Sequence, residues 1–96
     1  MATVKWLPEA LHDLERLIAF LGDKSLTAAA RAARTILDGA ERLADTPELG
    51  RAMPDRTGRR EIFLPFAAGS YILRYMLEDQ RTVVIIRVWH SREDRS

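Results

Sequence analysis

Thr82-Val83-Val84-Ile85-Ile86-Arg87-Val88-Trp89-His90, close to the C-terminus, is the stretch on which the fold turns. Six of the seven residues from Thr82 to Val88 are β-branched, stiff at χ1 and suited to a pleated surface, so the run reads as a strand. The seventh is Arg87. An unpaired buried cation is costly, so its guanidinium must meet water, a carboxylate or a polyanion. The strand ends on the imidazole of His90 and passes at once into the polar run Ser91-Arg92-Glu93-Asp94-Arg95.

Upstream, Tyr71 to Leu77 and Arg60 to Leu64 are two further strand candidates. The links between the three, Pro65 to Ser70 and Glu78 to Arg81, have hairpin length, which predicts an antiparallel meander. Alternation along the middle strand sets Tyr71, Leu73, Tyr75 and Leu77 against Ile72, Arg74 and Met76. In the last strand it sets Val84, Ile86, Val88 and His90 against Val83, Ile85, Arg87 and Trp89.

Before the meander, Gly50, Pro54 and Gly58 break any period, so Pro47 to Gly58 reads as a loop carrying Arg51 and Arg56. Two helices precede it. Pro8 suits a first helical turn, and Ala10, Leu11, Leu14, Leu17, Ile18 and Leu21 form one apolar stripe that leaves Asp13, Glu15 and Arg16 pointing elsewhere. Gly22 stops that helix, Ser25 or Thr27 caps the next, and Ala29, Ala33, Ile36, Ala40 and Leu43 form a stripe of small residues that lets a neighbour approach closely. Thr46-Pro47 ends it. Val4 to Trp6 is a brief opening strand. The expected architecture is α+β, in the order β-α-α-β-β-β, with an antiparallel helical hairpin packed on the sheet and residues 1–96 in one domain.

A chain of 96 residues needs most of its apolar side chains for one core, which leaves little for a deep enclosed site. No cysteine is present, so disulfides and thiolate metal sites are excluded, and two distant histidines offer no metal-ligand spacing. No cofactor is expected. Neither a membrane-length apolar run nor a signal-peptide pattern appears, so a cytoplasmic location is expected. Net charge is +1, unevenly spread: residues 1–50 hold six cations against eight acids, and residues 51–96 nine against six. All nine cations of the second half are Arg, whose planar fork suits carboxylates and phosphates.

Several short pieces in order resemble the RelE/ParE superfamily of bacterial type II toxins, and the ParE branch most: Val4-Lys5-Trp6 with Ala10 and Asp13-Leu14, Ala40 to Leu43 leading to Pro47-Glu48-Leu49-Gly50-Arg51, Arg60-Glu61, Tyr71 to Tyr75, and Ile85 to His90 followed by Arg92. The resemblance covers nearly the whole chain. It implies a toxin held inactive by a cognate antitoxin, with growth arrest as the outcome and no direct DNA binding without the antitoxin. It leaves two targets open, DNA gyrase for ParE-like members and ribosome-bound messenger RNA for RelE-like ones.

A ribonuclease needs a base for the 2′-hydroxyl, an acid for the leaving oxygen and cations on the phosphate. His90, Arg60, Arg87 and Glu61 are the residue types for those roles. RelE-like nucleases carry a tyrosine or similar ring just after the last strand, whereas Ser91 to Ser96 contains none, and Glu93 and Asp94 would repel phosphate. The resemblance therefore favours gyrase inhibition without catalysis, with Arg59, Arg60, Arg74, Arg87, Trp89, His90 and Arg92 as contacts to target or antitoxin. Plainer roles compete: His90 bonded to Arg60 or a carboxylate, Arg59 or Arg60 paired with Glu61 or a helix carboxylate, and Trp6 against Trp89 where the first and last strands meet.

Overall fold

Residues 1–93 are described by the computed structural model, in the order β1 (Thr3–Trp6), α1 (Pro8–Gly22), α2 (Leu26–Asp45), β2 (Arg51–Ala52), β3 (Arg60–Phe66), β4 (Gly69–Asp79) and β5 (Thr82–His90). The sheet order is β1-β5-β4-β3-β2. β3, β4 and β5 form the expected antiparallel meander, and β1 joins it beside β5 in parallel, from Thr3 opposite Thr82 to Trp6 opposite Ile85. One stretch read as pure loop is partly strand. Arg51 and Ala52 pair with Glu61 and Arg60 and extend the sheet by two residues beyond β3.

Pro8 opens α1 where its missing N–H costs nothing, and Ser25 caps α2 by accepting the Ala28 N–H at 3.1 Å. On α2 the buried stripe is Ala29, Ala32, Ile36, Gly39, Ala40 and Leu43, so Ala32 takes the place expected of Ala33. Gly39 matters for the approach of helix to sheet, since a Cβ there would come within 2.5 Å of Leu64 Cδ1. Ile36, Leu43, Leu73, Tyr75, Val83, Ile85 and Val88 are all essentially sealed from solvent and define the core between helices and sheet.

The face assignment for β4 is as expected, with Tyr71, Leu73 and Tyr75 against the helices. That for β5 is not. Tyr75 pairs with Ile85 but Arg74 pairs with Arg87, so Ile86 is an extra residue in a β-bulge. One inserted residue reverses the phase of all that follows. Val83 and Ile85 share the helix face with Val88 and His90, while Arg87 and Trp89 lie with Val84 on the outer face.

The β3–β4 connection is a two-residue turn in which Ala67 has φ of 54°. The left-handed region costs a Cβ-bearing residue about 1–2 kcal/mol. Part of this is returned as unfolded-chain entropy on substitution by glycine, so Ala67→Gly should raise stability by about 0.5–1 kcal/mol. An unchanged or lowered thermal midpoint would count against strain at this turn.

Candidate functional site

Asp13 is the acid whose placement differs most from expectation. It is 5% exposed, on the same face of α1 as Ala10 and Leu17, because positions 10, 13 and 17 follow the helical period. β1 ends its pairing at Trp6 opposite Ile85, and beyond that point no strand among the described residues flanks β5. Asp13 takes the strand's place. Its Oδ2 accepts the Val88 N–H at 2.9 Å and Arg87 Nε at 2.8 Å, and its Oδ1 accepts Arg87 Nη2 at 3.1 Å. Burial alone would raise its pKa. The hydrogen bonds from Arg87 and Val88, with the positive charges of Arg87 and Arg16, outweigh that and hold the carboxyl below the usual carboxylate range.

On the outer face Arg87 and Arg74 are direct cross-strand partners, a juxtaposition that would repel if both were free. Each is neutralised on its far side. Arg74 donates from Nε to Glu61 at 2.9 Å, with Nη2 at 2.8 Å from the same carboxylate, and its guanidinium stacks 4.9 Å above the Trp89 ring. Trp89 is 9% exposed, so it is not an open anchor. It does not meet Trp6 either: Trp6 lies opposite Ile85 on the helix face, and Trp89 opposite Ile72 on the other.

Arg60 sits on the helix face beside the Pro47–Gly50 segment and pairs with neither Glu61 nor a helix carboxylate. Its Nη1 donates to the carbonyls of Gly50 at 2.7 Å and Glu48 at 3.3 Å. The Tyr75 hydroxyl completes this clamp, donating to the Pro47 carbonyl and accepting the Gly50 N–H, both at 2.8 Å. Burial raises the phenol's pKa. Arg59 is half-buried and donates its N–H to Thr57 Oγ1 at 3.2 Å, at the end of the preceding loop.

His90 bonds to backbone rather than to Arg60 or a carboxylate. Nδ1 accepts the Arg92 N–H at 3.2 Å, which leaves the ring proton on Nε2, 3.0 Å from the Phe66 carbonyl oxygen that accepts it. His90 closes one side of a groove of about 570 Å³ between the end of α1 (Leu17, Phe20, Leu21) and the β3–β4 hairpin (Phe66, Ala67, Tyr71). Arg16, Arg92 and Glu93 form its polar rim. Glu93 is engaged there, accepting Arg16 Nη1 and the His90 N–H at 2.9 Å each. Arg92 is exposed, and Asp94 lies outside the described residues.

The structure thus sorts the candidates into three places. Arg87, Arg74 and Glu61 form an outer row with Trp89 beside it, Arg59 and Arg60 flank the loop at the start of β3, and His90 and Arg92 border the groove. His90 stands three residues beyond Arg87, about 10 Å along the strand, and on the other face. Asp13 and Arg16 are site-forming groups that the sequence reading does not single out. An acid at a stripe position, together with an arginine in a strand that needs an anion, was a readable signal for the first.

The family model for the ParE toxin of type II toxin–antitoxin systems (parDE) matches residues 4–95. Toxin RelE3 of Caulobacter vibrioides is 38% identical over 95 residues, covering 99% of this chain and all of that protein. Toxin RelE1 of the same organism is 35% identical, covering 90% of this chain and 89% of its own length. Among solved structures, a chain of the chromosomal ParDE toxin–antitoxin system from P. aeruginosa superposes with a TM-score of 0.73 at 19% identity, covering 94% of this chain and 96% of that one, a likeness of fold.

Proposed function

The chain belongs to the ParE toxin family of type II toxin–antitoxin systems, and from that premise we propose that it arrests growth by binding and inhibiting DNA gyrase, with no bond cleavage of its own. As a toxin of such a system it pairs with a cognate antitoxin. The observation that carries the non-catalytic reading is the engagement and dispersal of the four groups a nuclease would use. Glu61 is held by Arg74, Arg87 by Asp13, Arg60 by two carbonyls, and both nitrogens of His90 by the backbone. A general base must present a free lone pair within hydrogen-bond reach of the proton it takes. His90 presents none, and Glu61, which meets Arg74 through Oε2 alone, stands on the opposite face of the sheet from it.

A second reading, ribosome-dependent cleavage of messenger RNA, draws on one specific observation: His90, Tyr71, Arg16 and Arg92 border a single groove. The relatives' name, RelE, runs the same way. Two measurements separate the readings. Purified toxin mixed with gyrase and relaxed plasmid should abolish supercoiling, and unchanged supercoiling at large molar excess would defeat the gyrase reading. Induction of His90→Ala should still arrest growth while transcript ends stay unaltered. New transcript ends after wild-type induction that vanish with His90→Ala would establish the nuclease instead.

A further inference from the structure

Among the described residues β1 is the outermost strand on its side of the sheet, and half of its backbone is unpaired. Thr3 N–H donates to the Arg81 carbonyl at 2.7 Å and Leu7 N–H to the Ile85 carbonyl at 3.0 Å, so Thr3, Lys5 and Leu7 are the residues turned toward β5. Alternation turns the N–H and C=O of Val4 and Trp6 the other way. They meet no partner among the described residues.

Alongside this edge runs a groove of about 450 Å³ between β1 and α2, with Trp6 and Leu37 among its walls and Arg34, Asp38 and Glu41 as its charged lining. Leu37 is 47% exposed. Arg34, Asp38 and Glu41 are exposed too, and none is in an ion pair among the described residues. Their order along the helix makes this face complementary to itself: turned end over end about a point between Leu37 and Asp38, Arg34 lands on Glu41 and Glu41 on Arg34. β1 has such a point at Lys5, about which Val4 and Trp6 change places. The two points lie at one level. Ala2 N–H donates to the Ala44 carbonyl at 2.8 Å, which fixes the start of β1 beside the end of α2. From there Lys5 is about 10 Å along the strand, and about 10 Å back along α2 lie residues 37 and 38.

We propose that this face receives a second copy of the chain, with β1 paired antiparallel to its twofold mate and centred on Lys5. Val4 of each copy exchanges both backbone hydrogen bonds with Trp6 of the other. Arg34 of each meets Glu41 of the other with Asp38 one turn away, and the two Leu37 side chains close the shared groove. A twofold interface has to match itself, and the coincidence of the strand centre with the helix centre meets that condition. Lys5 opposes its own copy at the axis, where like charges repel, and Glu78, 3.3 Å from Lys5 Nζ, offsets part of this. A short edge carrying a central lysine pairs weakly, so the dissociation constant should be on the order of 10–100 μM. The inference is independent of whether gyrase or messenger RNA is the target.

Sedimentation equilibrium of the full-length toxin on its own, at loading concentrations from about 10 to about 500 μM, tests it, and a monomer–dimer equilibrium is expected. Arg34→Glu alone or Glu41→Arg alone opposes like charges across the axis and should weaken association about tenfold or more. Both changes in one chain should restore it, and so should an equimolar mixture of the two single variants, as a heterodimer. Lys5→Thr removes the repulsion, keeps a strand-forming residue and should tighten the dimer about threefold. All three positions are exposed, so the variants keep the core intact. A toxin that stays monomeric throughout this range, or a dimer that ignores the single reversals, would overturn the proposal. So would a dimer in which the Val4 and Trp6 amides exchange hydrogen as fast as in the dilute monomer, since the added strand pairing would then be absent.

Discussion

Asp13→Ala should destabilise the protein by about 2–3 kcal/mol, read as a shift in the urea midpoint at unchanged slope. The loss has two parts. The Val88 N–H becomes an unsatisfied buried donor, and Arg87 loses a bidentate partner. Breaking a fully buried ion pair costs about 3–5 kcal/mol, but the Arg87 side chain is 43% exposed and regains water, which brings the figure down. Asp13→Asn retains an acceptor for Val88 and should lose about half as much. Because the folded carboxyl titrates below its unfolded value, its contribution is present above the ordinary value of 3.8 and lost as pH falls from there through the lower folded value. Acid unfolding of Asp13→Asn should therefore be less steep in that window. A wild-type urea midpoint for Asp13→Ala would show that the α1–β5 tie contributes nothing.

Gly50→Ala should cost about 2–3 kcal/mol, through crowding rather than a lost bond. A Cβ at this position would lie 2.7 Å from both Cε1 and the hydroxyl oxygen of Tyr75 and 2.9 Å from the Glu61 carbonyl oxygen. The carbonyl belongs to the sheet and cannot retreat. Tyr75 is fully buried, and moving it breaks its bonds to Pro47 and Gly50. Tyr75→Phe, which removes those bonds without crowding, should cost about 1–2 kcal/mol and is the benchmark. Should Gly50→Ala prove no worse than Tyr75→Phe, steric contact at this clamp would be excluded as the cause.

How far the sequence could be read depended on the range of the interactions involved. Pro8, Ser25 and the β-branched run from Thr82 act through their own backbone, and each element they announce is present near its expected bounds. Failures came where a distant partner decides. Period-two counting through β5 misplaced Arg87 and Trp89 because the bulge at Ile86 exists only in the pairing with β4. β2 was hidden for a similar reason, since two residues carry no period and are strand only because β3 lies beside them. Asp13 reads as pointing away from the apolar stripe, yet its position, three after Ala10 and four before Leu17, falls on the buried face. The groove beside His90 joins residues from α1, the β3–β4 hairpin and the tail, and such closure cannot be read from any one segment.

The outer row of the sheet also makes a statement about inheritance. Two like charges face each other at positions 74 and 87, tolerable only while Glu61 draws on one and Asp13 on the other. Among descendants of a common ancestor these sites should change as couples. A lineage that drops the acid on its first helix should also have shed the guanidinium it restrained, and an alignment deep enough to score covariation should link 13 with 87 and 61 with 74 more strongly than 74 with 87.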